Sequence, residues 1–162
     1  MAPILVLGLG NLLLSDEGVG LAVIRALAER YDLPDTVEIL DGGTAGMDLL
    51  DQVAGRARLL VVDCARLDAA PGTVREIDGA AVPAFFQTRF LPHMIGFADL
   101  MAGVALMDGL PGEIAFVGIE PESMELGLAL SPACAAAVER ALALVVARLG
   151  SWGAAPRQRR AA

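Results

Sequence analysis

The 162-residue chain contains no lysine: all 12 of its basic residues are arginines, set against 20 acidic residues, for a formal net charge of −8. That removes Schiff-base catalysis, a phosphate-binding P-loop lysine and a serine–lysine dyad. Without a basic face, nucleic acid is not an expected partner. Histidine occurs once, as His93, so any chemistry needing imidazole must pass through it. The two cysteines, Cys64 and Cys134, stand far apart and form no C-x-x-C pair, which excludes a zinc knuckle and a dithiol redox motif. They read as small buried hydrophobes of a reducing compartment. None of the serines sits in a G-x-S-x-G elbow. A run of about 18 uncharged apolar residues is also missing; the best stretch, Leu126 to Leu149, is broken by Glu139 and Arg140. The first residues, Met-Ala-Pro-Ile-Leu-Val, offer neither a basic n-region nor a small-residue cleavage site. The expectation is a soluble cytoplasmic protein.

What the chain has in quantity is apolar residues, 56%, with 18 glycines besides. A chain of this length and composition folds as one ordinary domain, expected over residues 1–150, with a tail at 151–162 (SWGAAPRQRRAA) that lacks periodicity and is expected to be disordered. Pro3 to Gly10 (PILVLGLG) suits a strand buried on both faces, and Val19, Val23, Ile24 and Leu27 follow helical spacing, with Ser15 or Asp16 as cap. Further strands are read at Thr36 to Leu40, Arg58 to Asp63 and Glu113 to Ile119. Gly72 to Asp78 alternates as an edge strand does, and is the one expected to run antiparallel. Helices are read at Met47 to Val53, Phe97 to Met107 and Ser131 to Leu149, the last opened by Ser-Pro. Gly79 to Gly96 is irregular, with Pro83, Pro92 and three phenylalanines at 85, 86 and 90. Alternating strands and helices predict an α/β fold: a three-layer α/β/α sandwich around a mostly parallel, mixed sheet of about five strands.

In such sheets ligands bind beyond the carboxyl ends of the strands, near the point where strand order reverses. The first strand leads to Asp16 and Glu17, the second ends at Asp41, the third at Asp63 and the last at Glu120. Carboxylates crowded at one edge repel one another, and a cation is the usual remedy. A metal site is therefore the first hypothesis, with His93 free to complete an oxygen and nitrogen set suited to zinc or nickel. Each residue also has a bland reading. Asp63 can start a turn, Glu17 can complement a helix dipole, Asp41 can make an Asx turn, and His93 can be structural. A dinucleotide-binding reading of Gly8-x-Gly10 fails, since position 13 is leucine and Asp16 and Glu17 follow where a pyrophosphate would bind.

Gly8 to Gly20 (GLGNLLLSDEGVG), Asp41 to Gly46 (DGGTAG), the strand ending at Asp63, and Pro92-His93 followed by Gly96 and Asp99 together resemble the nickel–iron hydrogenase maturation proteases. The similarity spans roughly residues 3 to 149, and the ordered set of motifs is highly specific. The resemblance implies a hydrolase, an aspartic-type endopeptidase that removes a C-terminal extension from the hydrogenase large-subunit precursor after nickel insertion. It also implies a metal-contacting triad, matching Glu17, Asp63 and His93, and a cleavage-assisting acid, matching Asp41. The nickel would be carried by the substrate, with no tightly bound cofactor of the enzyme's own, although other divalent ions can occupy the site. Phe97 and residues 82 to 91 lie where members of the family vary, a place suited to substrate choice. Glycines 42, 43 and 46 either admit the peptide backbone closely or only form a turn. The expected partner is the large-subunit precursor, with no nucleic acid and no membrane, and the protein is expected to be a monomer. Two rivals stay open: a non-enzymatic nickel-dependent checkpoint chaperone that grips the precursor, and a self-contained metallopeptidase or amidase.

Overall fold

The computed structural model describes residues 1–82 and 94–161, with side chains for all of these except 94–96. Five strands form the main sheet: β1 (Ile4–Leu9), β3 (Val37–Gly43), β4 (Arg58–Cys64), β5 (Val74–Asp78) and β6 (Glu113–Ile119). Their order is β3-β1-β4-β6-β5, parallel except for β5, which runs antiparallel to β6 at the edge. Every residue of β1 is buried, as a strand covered on both faces requires. No residue of β5 is fully buried, as suits a strand at the edge of the sheet.

Helix α1 (Val19–Arg30) packs against β1, β4 and the C-terminal helix α4 (Pro132–Ser151). Gly8 lies beneath Ile24 of α1, so the even face of β1 meets that layer. Leu9 looks the other way, toward a crevice lined by Leu49, Phe97 and Leu100. Leu49 belongs to a 3-10 turn (Gly46–Leu49) that leads into α2 (Leu50–Val53), and Phe97 and Leu100 belong to α3 (Met94–Leu106). The result is a mixed five-stranded sheet between helical layers, the predicted sandwich. Ser131 caps α4 as predicted, its Oγ accepting from the Cys134 N–H at 3.3 Å, with Pro132 at the first helical position.

Two local expectations are corrected. The second strand continues through Asp41 to Gly43, with the register slipping by one residue opposite Gly8 and Leu9 and leaving Gly42 as the extra residue. Neither Ser15 nor Asp16 caps α1, whose N-terminus carries no side-chain hydrogen bond. They lie instead in a 3-10 turn (Ser15–Gly18), where both are engaged elsewhere.

From Ser151 onward, where the sequence suggests frayed chain, the structure holds an ordered clasp. The Trp152 ring is buried, its Nε1–H donates to Glu113 at 3.0 Å, and the Arg58 and Arg148 guanidinium groups stand 5.7 and 5.8 Å from the ring centre. Farther on, β7 (Arg157–Gln158) pairs antiparallel with β2 (Tyr31–Asp32), and Arg159 Nε donates to Asp32 at 2.8 Å. An aromatic ring and arginines that find acids supply what the missing periodicity did not.

Candidate functional site

Of the main-sheet strands that follow β1 in the chain, the first, β3, lies on one side of it, and the next, β4, on the other. The order of the sheet therefore reverses between β1 and β4, the place where sheets of this kind form a crevice beyond their carboxyl ends. Glu17 stands in the turn after β1, and Asp63 is the penultimate residue of β4; both are buried. Two glycines let these segments approach. A Cβ on Gly10, whose φ is +140°, would stand 1.9 Å from the Glu17 carbonyl oxygen. One on Gly20 would stand 2.4 Å from the Val62 carbonyl oxygen and 2.9 Å from the Asp63 Cα. The start of α1 is thus seated directly on the end of β4.

The Asp63 carboxylate accepts from the Cys64 N–H at 2.7 Å. Burial pushes the Cys64 thiol well up, and the negative charges of Asp63 and Glu17 push it further, so both carboxylates bear on one point. The Cys134 thiol is likewise raised, to about 11, chiefly by burial. Both cysteines are free and buried, as their spacing suggested, and neither is poised as a nucleophile.

Asp41 sits farther out. It is half-exposed, its Oδ1 accepts from the Gly43 N–H at 3.2 Å, and its Oδ2 lies 3.5 Å from Arg25. The Asx-type contact foreseen for it is present. The glycine-rich loop beyond adopts positive φ at Gly43 and Gly46, and the Gly43 carbonyl accepts from Gly10 N–H at 3.0 Å, tying the loop to the crevice floor.

The remaining acids do not join a single cluster. Asp16, fully buried, accepts from the N–H groups of Glu122 at 2.9 Å, Ser123 at 3.0 Å and Ser131 at 2.8 Å. Burial alone would raise this carboxyl; the N–H donors of Ser123, Ser131 and Glu122 outweigh it and hold it below its ordinary value. Glu120 accepts from the Leu67 N–H and faces Arg66 at 3.6 Å. Crowding is therefore relieved at Asp16, Asp41 and Glu120 by local donors rather than by one shared cation. Among the described residues, no group of three or more His, Cys, Asp and Glu is arranged to hold a metal. His93, with Phe85, Phe86 and Phe90, lies outside the described residues. Glu17 and Asp63 are the acids whose burial and position at the switch point suit oxygen ligation of a divalent ion. Phe97 is buried and lines the neighbouring crevice with Leu9, Gly43 and Thr44. The structural role of Asp16 was not foreseen; nothing in the Ser-Asp-Glu sequence announces partners more than 100 residues away.

The fold is an α/β sandwich with buried acids at the carboxyl edge of its sheet, and comparison with known proteins narrows its class. A family model described as hydrogenase maturation protease, HycI, matches residues 21–148. The hydrogenase 2 maturation protease of Escherichia coli K12 is 44% identical over 158 residues, 96% of this chain and 96% of that protein. The hydrogenase expression/formation protein HupM of Azotobacter chroococcum is 38% identical, over 96% of this chain and 76% of that protein. Among solved structures, the E. coli hydrogenase maturating endopeptidase HybD superposes with a TM-score of 0.92 at 42% identity, covering 98% of each chain. The [NiFe] hydrogenase maturation protease HybD of Thermococcus kodakarensis gives 0.72 at 29% identity, covering 90% of this chain and 97% of that one. The chain belongs to the hydrogenase maturation protease family. It is a peptidase, and therefore a hydrolase. Among the described residues, no helix is long and apolar enough to cross a membrane.

Proposed function

We propose that this protein removes the C-terminal extension of a nickel–iron hydrogenase large-subunit precursor once nickel has been inserted, and that it works as a monomer in the cytoplasm. Glu17, Asp63 and His93 engage nickel already held by the substrate, so the metal belongs to the substrate and not to the enzyme. Docking of a loaded precursor fixes the scissile peptide in the crevice. A water attacks the scissile carbonyl, and Asp41 positions that water or takes its proton. Loop N–H groups near Gly42, Gly43 and Gly46 are available to the oxyanion.

The observation that carries this reading is the position of two buried carboxylates, Glu17 in the turn after β1 and Asp63 next to the end of β4, both at the switch point of the sheet. Two buried acids acting on one point repel each other, and a metal-bearing substrate lowers that repulsion. Correct loading thereby becomes a condition of cleavage. Asp41 is exposed enough to meet a peptide, and Arg25 stands 3.5 Å from its carboxylate.

The test incubates purified large-subunit precursor, with and without nickel, with this protein and weighs the products by mass spectrometry. Loss of a C-terminal peptide from the nickel-loaded form alone is expected. Nickel-dependent complex formation without cleavage would favour the checkpoint chaperone, and cleavage regardless of nickel would overturn the role given to the triad.

A further inference from the structure

We infer that the exposed leucines beside the crevice, Leu13, Leu126 and Leu128 with Leu12 at their margin, form the docking face for the folded body of the precursor, separate from the cleft that takes its chain end. This rests on the reading that the protein processes that precursor at Glu17 and Asp63.

Leu126 and Leu128 are 85% and 81% exposed, and Leu13 is 59% exposed. Leucines exposed singly need no explanation; these are gathered by the backbone. Leu14 and Gly127 form a parallel bridge, in which the Ser15 N–H donates to the Gly127 carbonyl at 2.9 Å and the Gly127 N–H to the Leu13 carbonyl at 2.9 Å. The bridge thereby sets Leu13 beside the segment that carries Leu126 and Leu128.

The backbone beneath them is fastened. Asp16, fully buried, takes three N–H groups from the ends of this loop, at Glu122, Ser123 and Ser131. The Ser15 hydroxyl donates to the Glu125 carbonyl at 2.7 Å, and the Asp16 N–H to the Ser123 carbonyl at 3.1 Å. Apolar side chains are thus held out in water by a fixed backbone, an arrangement that lowers the ordering cost of binding.

Continuity identifies the occupant. The same bridge joins the leucine face to the Ser15–Gly18 turn, which carries Glu17. A protein whose chain end reaches Glu17 brings its folded body against these leucines. Glu122 and Glu125 are exposed at the rim, so the complementary face is apolar and bordered by basic groups.

The experiment compares wild type with the Leu126→Ser/Leu128→Ser double variant and with Leu13→Ser, all as full chains. Melting temperature, direct binding to nickel-loaded precursor, and KM and kcat for its cleavage are measured. The double variant is expected to melt with wild type, to raise Kd and KM by roughly tenfold to a hundredfold, and to leave kcat unchanged. Wild-type Kd and KM in both variants would overturn the docking face. Should the double variant fold poorly, Leu13→Ser decides on the same criteria. If wild type binds the precursor without cutting it, the processing reading fails while the binding comparison still judges the leucines. Leucine-dependent dimerisation of the protein in sedimentation, with precursor affinity unchanged, would assign the face to a second copy and overturn the inference.

Discussion

The Asp16 carboxylate and the Ser131 N–H meet at 2.8 Å across 115 residues of chain, and this contact ties the turn that carries Glu17 to the start of α4. With the Glu122 and Ser123 amides it makes three charge-assisted bonds at a fully buried acid. Asn in this place keeps one acceptor oxygen and turns an NH₂ group toward amide donors. Asp16→Asn is expected to lower stability by about 3 kcal/mol and the melting temperature by roughly 10 °C. Thermal denaturation checks this, and an unchanged transition would mean that the contacts are dispensable.

The same carboxylate confers an acid-sensitive contribution. Its pKa is depressed in the folded state, so its stabilisation is complete above the unfolded-state value and is lost as pH falls through the lower, folded one. Denaturant titrations of wild type and Asp16→Asn should therefore differ most at neutral pH and draw together below about pH 4. A gap independent of pH from 7 to 3 would contradict the depressed ionisation.

Gly20 marks the closest approach of α1 to β4. A methyl group there would meet the Val62 oxygen at 2.4 Å and the Leu9 oxygen at 2.7 Å, both rigid backbone atoms. Gly20→Ala cannot be accommodated by a side-chain rotation, so α1 must shift away from β4, moving Glu17 relative to Asp63. The expectation is a loss of about 3 kcal/mol with processing reduced more than stability at a temperature where the variant stays folded. A variant that melts and cleaves as wild type would show that the junction has slack.

The Trp152 clasp should behave in the opposite way. It joins the first residues of β4 and β6, Arg58 and Glu113, at the end of the sheet opposite the crevice. Trp152→Ala removes a buried ring and leaves Glu113 without its indole donor, at an expected cost of about 3 kcal/mol. Processing below the new melting temperature should be unchanged. A drop in kcat with the fold intact would reveal coupling along the sheet.

How far the sequence carried follows from the range of the interactions. The apolar run of β1, the alternation of β5 and the Ser-Pro start of α4 are local signals, and β6 spans the predicted residues Glu113–Ile119. The clasp was not readable, because Trp152 finds Glu113 and Arg159 finds Asp32, partners 39 and 127 residues away. Nor was the division of the acids: Asp16 and Glu17 are neighbours in sequence, yet one is bound by three amides and the other stands at the switch point. Gly42 reads as loop in sequence because the residue that breaks the register opposite Gly8 and Leu9 is defined only by its partner strand.

The decisive pair is Glu17 and Asp63. Both are buried at the crevice, contributed by different elements and brought together by the Gly10 and Gly20 contacts. If they serve one substrate-borne ion, each needs the other, because an ion held by half its oxygen ligands binds weakly. Glu17→Gln and Asp63→Asn preserve shape and remove a charge. Each is expected to lower kcat/KM for the nickel-loaded precursor at least a hundredfold, on the order of 3 kcal/mol in transition-state stabilisation, while melting within a few degrees of wild type. The double variant should be scarcely worse than either single one, the mark of groups that act as a unit. Independent, multiplying losses would instead assign the two carboxylates to separate steps, and retained cleavage in either single variant would remove that residue from the site.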